Sequence, residues 1–320
     1  MSQRARWARP WRRRAAPGAE VVAGPAPELP APATSLALDD AFLRRLERLA
    51  LHARRVAPTV GGRVGRQHSP AADFVDHRAY APGDDLRHLD WPALARHDAV
   101  VVKVGRVPQA AEVRLIVDVS PSMAAEPSKW RLAFELTAAL AWLGLARGDR
   151  VIVQPWPATA GWGPASGAGR AHTLLAYLRA LRPTAAGQPL SAAVRAVAGG
   201  AAGGALVVIS DLWRVDDLDA ALRLAPRARW ERSVLQVLSP DELRPPPLGA
   251  VALVDSETGD RWSLTLDEAA SRAYAVALQT RLDGVAAHCA GAGVHWSLVP
   301  SDWPLERAVL PLLQQRGVVV

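Results

Sequence analysis

Cysteine is almost missing: Cys289 stands alone in 320 residues, so neither a disulfide framework nor a cysteine-built zinc site fits within the chain. A reducing compartment suits such a chain, and the expected location is the cytoplasm. Lysine is nearly as scarce, with Lys103 and Lys129 the only two among 38 basic residues. Aromatic residues make up 6%, although twelve of them are Trp. No run approaches the roughly 18 uninterrupted apolar residues of a membrane-spanning helix. The best candidate, residues 134–146, is short and contains Glu135, so it reads as a buried core helix. Any membrane contact is expected to be peripheral. A secretory signal is not expected, because the basic N-terminus is followed at 15–32 by Pro, Gly and Glu where an apolar stretch belongs.

Half of the residues are apolar, enough for one large domain or two ordinary ones. The net charge of +7 is misleading, since Arg4, Arg6, Arg9, Arg12, Arg13 and Arg14 face only Glu20 within the first twenty residues. A nucleic-acid-binding face needs its charge on the folded body. Here most of the excess sits at one end, and specific nucleic-acid binding is not expected.

Residues 1–38, rich in Arg, Pro and Ala with few large apolar side chains, have the composition of a disordered tail. From Asp39 and Asp40 the apolar residues Phe42, Leu43, Leu46 and Leu49 recur at helical spacing, which predicts one amphipathic helix. Residues 61–96 are polar, turn-rich and without period, and read as an irregular segment. Helix and segment together form the expected unit 39–108. Over 109–320, strand-like runs at 113–118, 151–156, 205–210, 234–238 and 294–299 alternate with helical ones at 127–146, 173–181, 190–198, 215–225, 267–290 and 305–315. A hairpin is expected over 250–266. Such alternation predicts an α/β, Rossmann-like fold with a mostly parallel sheet and helices on both faces.

Ligands of open α/β sheets bind beyond the carboxyl ends of strands. The run Val113-Arg114-Leu115-Ile116-Val117 ends in Asp118-Val119-Ser120-Pro121-Ser122, and Ala205-Leu206-Val207-Val208-Ile209 ends in Ser210-Asp211. A carboxylate with two hydroxyls in one turn offers hard oxygens suited to Mg²⁺ or Mn²⁺, with Asp211 on a neighbouring strand holding the ion through one of its waters. The competing reading is plain helix capping by Asp and Ser. In the irregular segment, Arg78, Asp84, Asp85, Arg87, Asp90 and Arg96 alternate in sign around Tyr80 and Trp91. Arg forks pair with carboxylates and stack on aromatic faces, so these residues read either as a locking network or as a partner-docking surface. The Gly83-Asp84-Asp85 triplet lies in a Pro-Gly turn without other polymerase elements, and the eight histidines show no metal-ligand spacing.

Asp118, Ser120, Ser122 and the later Ser210-Asp211 resemble the metal-ion-dependent adhesion site of von Willebrand factor A domains. Arg78-x-Tyr80-x-x-Gly83-Asp84-Asp85-x-Arg87-x-x-Asp90-Trp91, with Arg96 behind it, resembles the bacterial domain-of-unknown-function 58 family. The resemblance implies a von Willebrand factor A-like domain over 109–320. It also implies a metal site at Asp118, Ser120, Ser122 and Asp211. The Thr that such sites carry in a third loop is missing from Pro183-Thr184-Ala185-Ala186-Gly187-Gln188, where Thr184 and Gln188 are the candidate oxygen donors. The implied Mg²⁺ or Mn²⁺ would then be weakly held. The implied role is a non-enzymatic protein-interaction module, an adaptor for a MoxR-type AAA+ ATPase acting on a client protein. The alternative is a metal-dependent hydrolase such as a phosphatase, with Asp118 as nucleophile.

Overall fold

The computed structural model describes residues 20–22, 41–42, 44–45, 65–66, 73–82, 89–97, 100–107, 111–184, 187–199, 203–213, 215–244, 248–256 and 260–318. Two units emerge, Thr59–Ala111 and a larger one made of Met1–Pro58 with Glu112–Val320. Within the segment expected to be a tail, β1 (Glu20–Val22) forms a short strand. The expected N-terminal helix is helical at Ala41, Phe42, Arg44 and Arg45, and its remainder lies outside the described residues.

In the smaller unit, β2 (Gly65–Arg66), β3 (Asp73–Ala79) and β4 (Val101–Val107) form an antiparallel sheet in the order β2-β4-β3, with α1 (Trp91–His97) between β3 and β4. Over the described part of 61–96, the expectation of an irregular segment is corrected here. Asp-Phe-Val-Asp-His-Arg-Ala carries no two-residue alternation because a bulge between Phe74 and Asp76 shifts its register, yet β4 supplies a full antiparallel ladder. Asp90 Oδ1 accepts the Ala93 amide at 3.1 Å and so caps the start of α1, while buried Leu89 bridges to buried Val102.

The larger unit follows the runs of β-branched residues. Its first half comprises β5 (Glu112–Asp118), α2 (Pro121–Ala124), α3 (Pro127–Arg147), β6 (Arg150–Trp156), β7 (Trp162–Ala165), α4 (Ala171–Ala180) and α5 (Leu190–Ala198). Then come β8 (Gly204–Ser210), α6 (Leu218–Leu224), β9 (Trp230–Leu238), α7 (Pro240–Leu243), β10 (Gly249–Val254) and β11 (Arg261–Leu266). The long α8 (Glu268–Gly291), β12 (His295–Pro300), a π-helical turn at Leu305–Val309 and α9 (Leu310–Gln315) complete it. The hairpin β10–β11 pairs in register from Gly249 opposite Leu266 to Val254 opposite Arg261, and β1 adds to its free edge.

The central sheet runs β12-β9-β8-β5-β6-β7 and is parallel except for β7. Counted by appearance within this sheet, the order is 6-5-4-1-2-3, the doubly wound arrangement of a Rossmann-like fold. Side chains alternate between two cores. Leu115, Val117, Val207, Ile209, Leu235 and Val237 face the layer of α3 and α4, whereas Ile116, Leu206, Val208 and Val234 face α5, α6 and Cys289 of α8. This is the mixed α/β fold expected from the sequence, consistent with a von Willebrand factor A-like domain. Helix α3 is buried along most of its length and ends at Gly148, whose φ of 84° provides the left-handed C-cap that side chains resist. Phe42 packs into the same core. Among the described residues, no helix is long and apolar enough to cross a membrane.

The reversal of strand order falls between β5 and β8. First and fourth strands of the sheet thus lie side by side, and their carboxyl ends carry the two acidic clusters.

Candidate functional site

The loop after β5 is set by local chemistry. Pro121 cannot extend the strand ladder and opens α2, and the Asp118 side chain turns back so that Oδ1 accepts the Ser120 amide at 2.8 Å. The end of β6 and the segment after α4 hold the loop: Val119 donates its N–H to Trp156 O at 2.7 Å and accepts from the Thr184 amide at 2.8 Å. Fully buried Met123 anchors the turn below. The hydroxyls of Ser120 and Ser122, both half-buried, stand 3.0 Å apart.

From β8, Ser210 Oγ donates to Asp118 Oδ2 at 2.5 Å and accepts from the Leu212 amide at 3.0 Å. Leu212 has φ 58°, the one positive value outside glycine among the described residues. Such a conformation persists where surrounding bonds hold it. Here Arg281 of α8 donates to the carbonyls of Leu212 and Trp213, and its guanidinium lies 5.0 Å from the Trp213 ring centre.

Asp211, next in the chain, takes a different partner. Its Oδ2 accepts from Lys129 Nζ at 2.8 Å and its Oδ1 from the Trp213 amide at 3.1 Å. Lys129 reaches inward from α3, fully buried, and also donates to Glu242 Oε1 at 2.7 Å. Glu242 is fixed in turn by the Ser239 amide at 2.7 Å, a capping box on α7, and by Trp213 Nε1 at 2.9 Å.

Burial, and then the Asp211 charge, push the Asp118 carboxyl up to about 7, against the opposing pull of its hydrogen bonds from Ser210 and Ser120. Burial works to lower the Lys129 ammonium, but Asp211 and Glu242 outweigh it and hold the group above its ordinary value. A buried ammonium is tolerable only with such partners.

Of the expected site residues, Asp118, Ser120, Ser122 and Asp211 gather at the adjoining ends of β5 and β8. Thr184 reaches the same loop through its backbone, with its hydroxyl turned to Arg182 O at 3.4 Å. Gln188 points its amide at Ala158 O at 3.0 Å. Its turn is packed so tightly that a Cβ on Gly187 would come within 2.1 Å of Pro157 O. In the other unit, Arg78 of β3 pairs with Val102 of β4, Tyr80 donates its amide to Val100 O, and Asp90 caps α1. Trp91 is 60% exposed, and Arg96 folds back onto Pro92 O. Gly83, Asp84, Asp85 and Arg87 lie outside the described residues.

These groups do not fit a bound Mg²⁺ or Mn²⁺ well. Among the described residues no three His, Cys, Asp or Glu side chains converge. The Asp211 oxygen that would receive the ion's water, Oδ2, already accepts from Lys129 Nζ at 2.8 Å, and a divalent ion moved into direct contact with it at about 2.1 Å would share that oxygen with the ammonium. The two cations would then stand no more than about 5 Å apart, a repulsion of about 7 kcal/mol at an effective dielectric of about 20.

Lys129, Glu242, Trp213 and Arg281 complete the cluster and were not among the expected site residues. Two signals pointed to them: a lysine retained in a chain that otherwise uses arginine, and the Ser239-x-x-Glu242 spacing directly after a strand.

Residues 76–282 match the family described as Protein of unknown function DUF58. Uncharacterized proteins of Mycobacterium bovis and Mycobacterium tuberculosis are 29% identical to the chain over 241 residues, covering 73% of it and 76% of each relative. No solved structure matches.

Proposed function

Because the chain belongs to the DUF58 family, we propose that it works as that resemblance implies, as a non-enzymatic interaction module that docks a partner protein on the Asp118–Ser122 loop. The reading places it in the cytoplasm as an adaptor between a MoxR-type AAA+ ATPase and a client protein. The choice of ATPase rests on the family resemblance alone.

One observation carries the docking role: at the switch point of the sheet, the acidic groups are turned inward and paired, while Ser120 and Ser122 are only half-buried on the loop. A phosphoryl-accepting aspartate needs a free, ionised oxygen. Asp118 is buried, both its oxygens accept hydrogen bonds, and its carboxyl is pushed towards the neutral form, which favours docking over hydrolysis.

The test is capture of the purified ATPase by immobilised wild-type, Ser122→Ala and Asp118→Ala proteins. Wild type should retain the ATPase and both variants should release it. Equal retention by all three would remove the loop from this role.

A further inference from the structure

In adhesion-type sites a divalent cation is expected between the two strand ends. This chain brings its own positive charge to the β8 end. Lys129 projects from α3 to the carboxyl edge of the sheet, is wholly buried, and donates to Asp211 at 2.8 Å and Glu242 at 2.7 Å. Both acceptors are locked from a second direction, Asp211 by the Trp213 amide and Glu242 by the Trp213 indole and the Ser239 amide. The ammonium is therefore a fixed element of the site. Arg281 adds a second cation against the same turn, through the carbonyls of Leu212 and Trp213.

We propose that Lys129 replaces the divalent ion at this strand-end site, so that the Asp118–Ser122 loop is held in shape without metal. Charge supports this, because Asp211 already has the buried Lys129 ammonium as its counter-ion, and a divalent ion beside it would be repelled. Geometry supports it as well. Asp118 is tied to β8 by a direct hydrogen bond from Ser210, the cross-strand link that a bridging ion would otherwise supply. Recognition then runs through the Ser120 and Ser122 hydroxyls, with no metal ion between the chain and its partner. This last step rests on the docking function proposed above, whereas the replacement of metal does not.

The experiment uses Mn²⁺ alone and the full chain. Paramagnetic resonance and thermal melting are recorded for wild type, Asp118→Asn and Ser122→Ala, in EDTA and in millimolar Mn²⁺. The expected result is that wild type shows no stoichiometric Mn²⁺ that either substitution abolishes, and an unchanged melting temperature. Mn²⁺ that survives both substitutions sits elsewhere and agrees with the proposal. A one-to-one Mn²⁺ site lost in Asp118→Asn or Ser122→Ala overturns it. A second arm uses Lys129→Met: where this protein folds, it should gain Mn²⁺ affinity at least tenfold, and a folded Lys129→Met blind to Mn²⁺ also overturns the proposal. Where it does not fold, the wild-type measurements decide alone. No partner enters either arm, so failure here is separable from failure of ATPase capture.

Discussion

Ser210 Oγ donates to Asp118 Oδ2 across the junction of β8 and β5, tying together the two strand ends where the sheet reverses its order. The hydroxyl favours the ionised carboxylate that burial opposes. Ser210→Ala should therefore raise the Asp118 carboxyl further and cost about 1–3 kcal/mol, the range for an unsatisfied buried polar group. Urea denaturation at neutral pH would measure the loss. A cost below a few tenths of a kcal/mol would show that the strand ends are held by other bonds.

Removing Lys129 should be more damaging. Lys129→Ala leaves Asp211 and Glu242 without their shared cation and should destabilise the protein by about 3–5 kcal/mol, with little dependence on salt because the pair is buried. Adding Asp211→Asn to Lys129→Ala should recover part of that loss. Denaturation of the double variant checks it, since no recovery would mean that packing of the lysine stem, not charge, sets the cost.

The sheet itself was legible because β5, β6, β8 and β9 are buried on both faces and so appear as near-continuous runs of Val, Ile and Leu. The meeting of Asp118 with Asp211 followed from their places at two such run ends. β7 was hidden by Gly163, which weakens a strand, and Pro164, which a sheet tolerates at an edge, and α1 by a length of seven residues, too short for a helical period to show. The inward turn of Lys129 joins residues 113 positions apart to Glu242, a distance no local pattern encodes. What the sequence did hold was the rarity of that lysine. The charge network sought around Tyr80 and Trp91 was read from alternation of sign alone, while the ladder to β4 and the cap on α1 decide where Arg78 and Asp90 sit.

The Asp118 carboxyl also predicts a pH profile. Its folded value, about 7, lies above the ordinary 3.8, so the native state holds this proton more tightly than the unfolded chain. The associated stability is complete below about pH 4 and is lost as pH rises through about 7. Asp118→Asn cannot ionise and should remove that loss. The stability difference between variant and wild type should move in favour of the variant by a few kcal/mol between pH 4 and 7, then level off. Chemical denaturation across pH 4–8 tests this, and a difference that stays flat through the window would mean that Asp118 is ionised throughout.

Function and stability should separate at the two serines. Ser120 and Ser122 bond to each other at 3.0 Å on a half-buried loop whose shape is set by Asp118, Val119 and Met123. Replacing either hydroxyl removes their mutual, partly solvated hydrogen bond. Ser122→Ala should thus shift stability by no more than about 0.5 kcal/mol, as surface substitutions do. A docking contact at the centre of an interface behaves differently, because its partner group is left desolvated and unpaired. ATPase affinity should then fall by about tenfold or more. Parallel melting and binding titrations of Ser120→Ala, Ser122→Ala and the double variant separate the two effects. Unchanged affinity in the double variant, with the fold intact, would move the docking surface away from this loop.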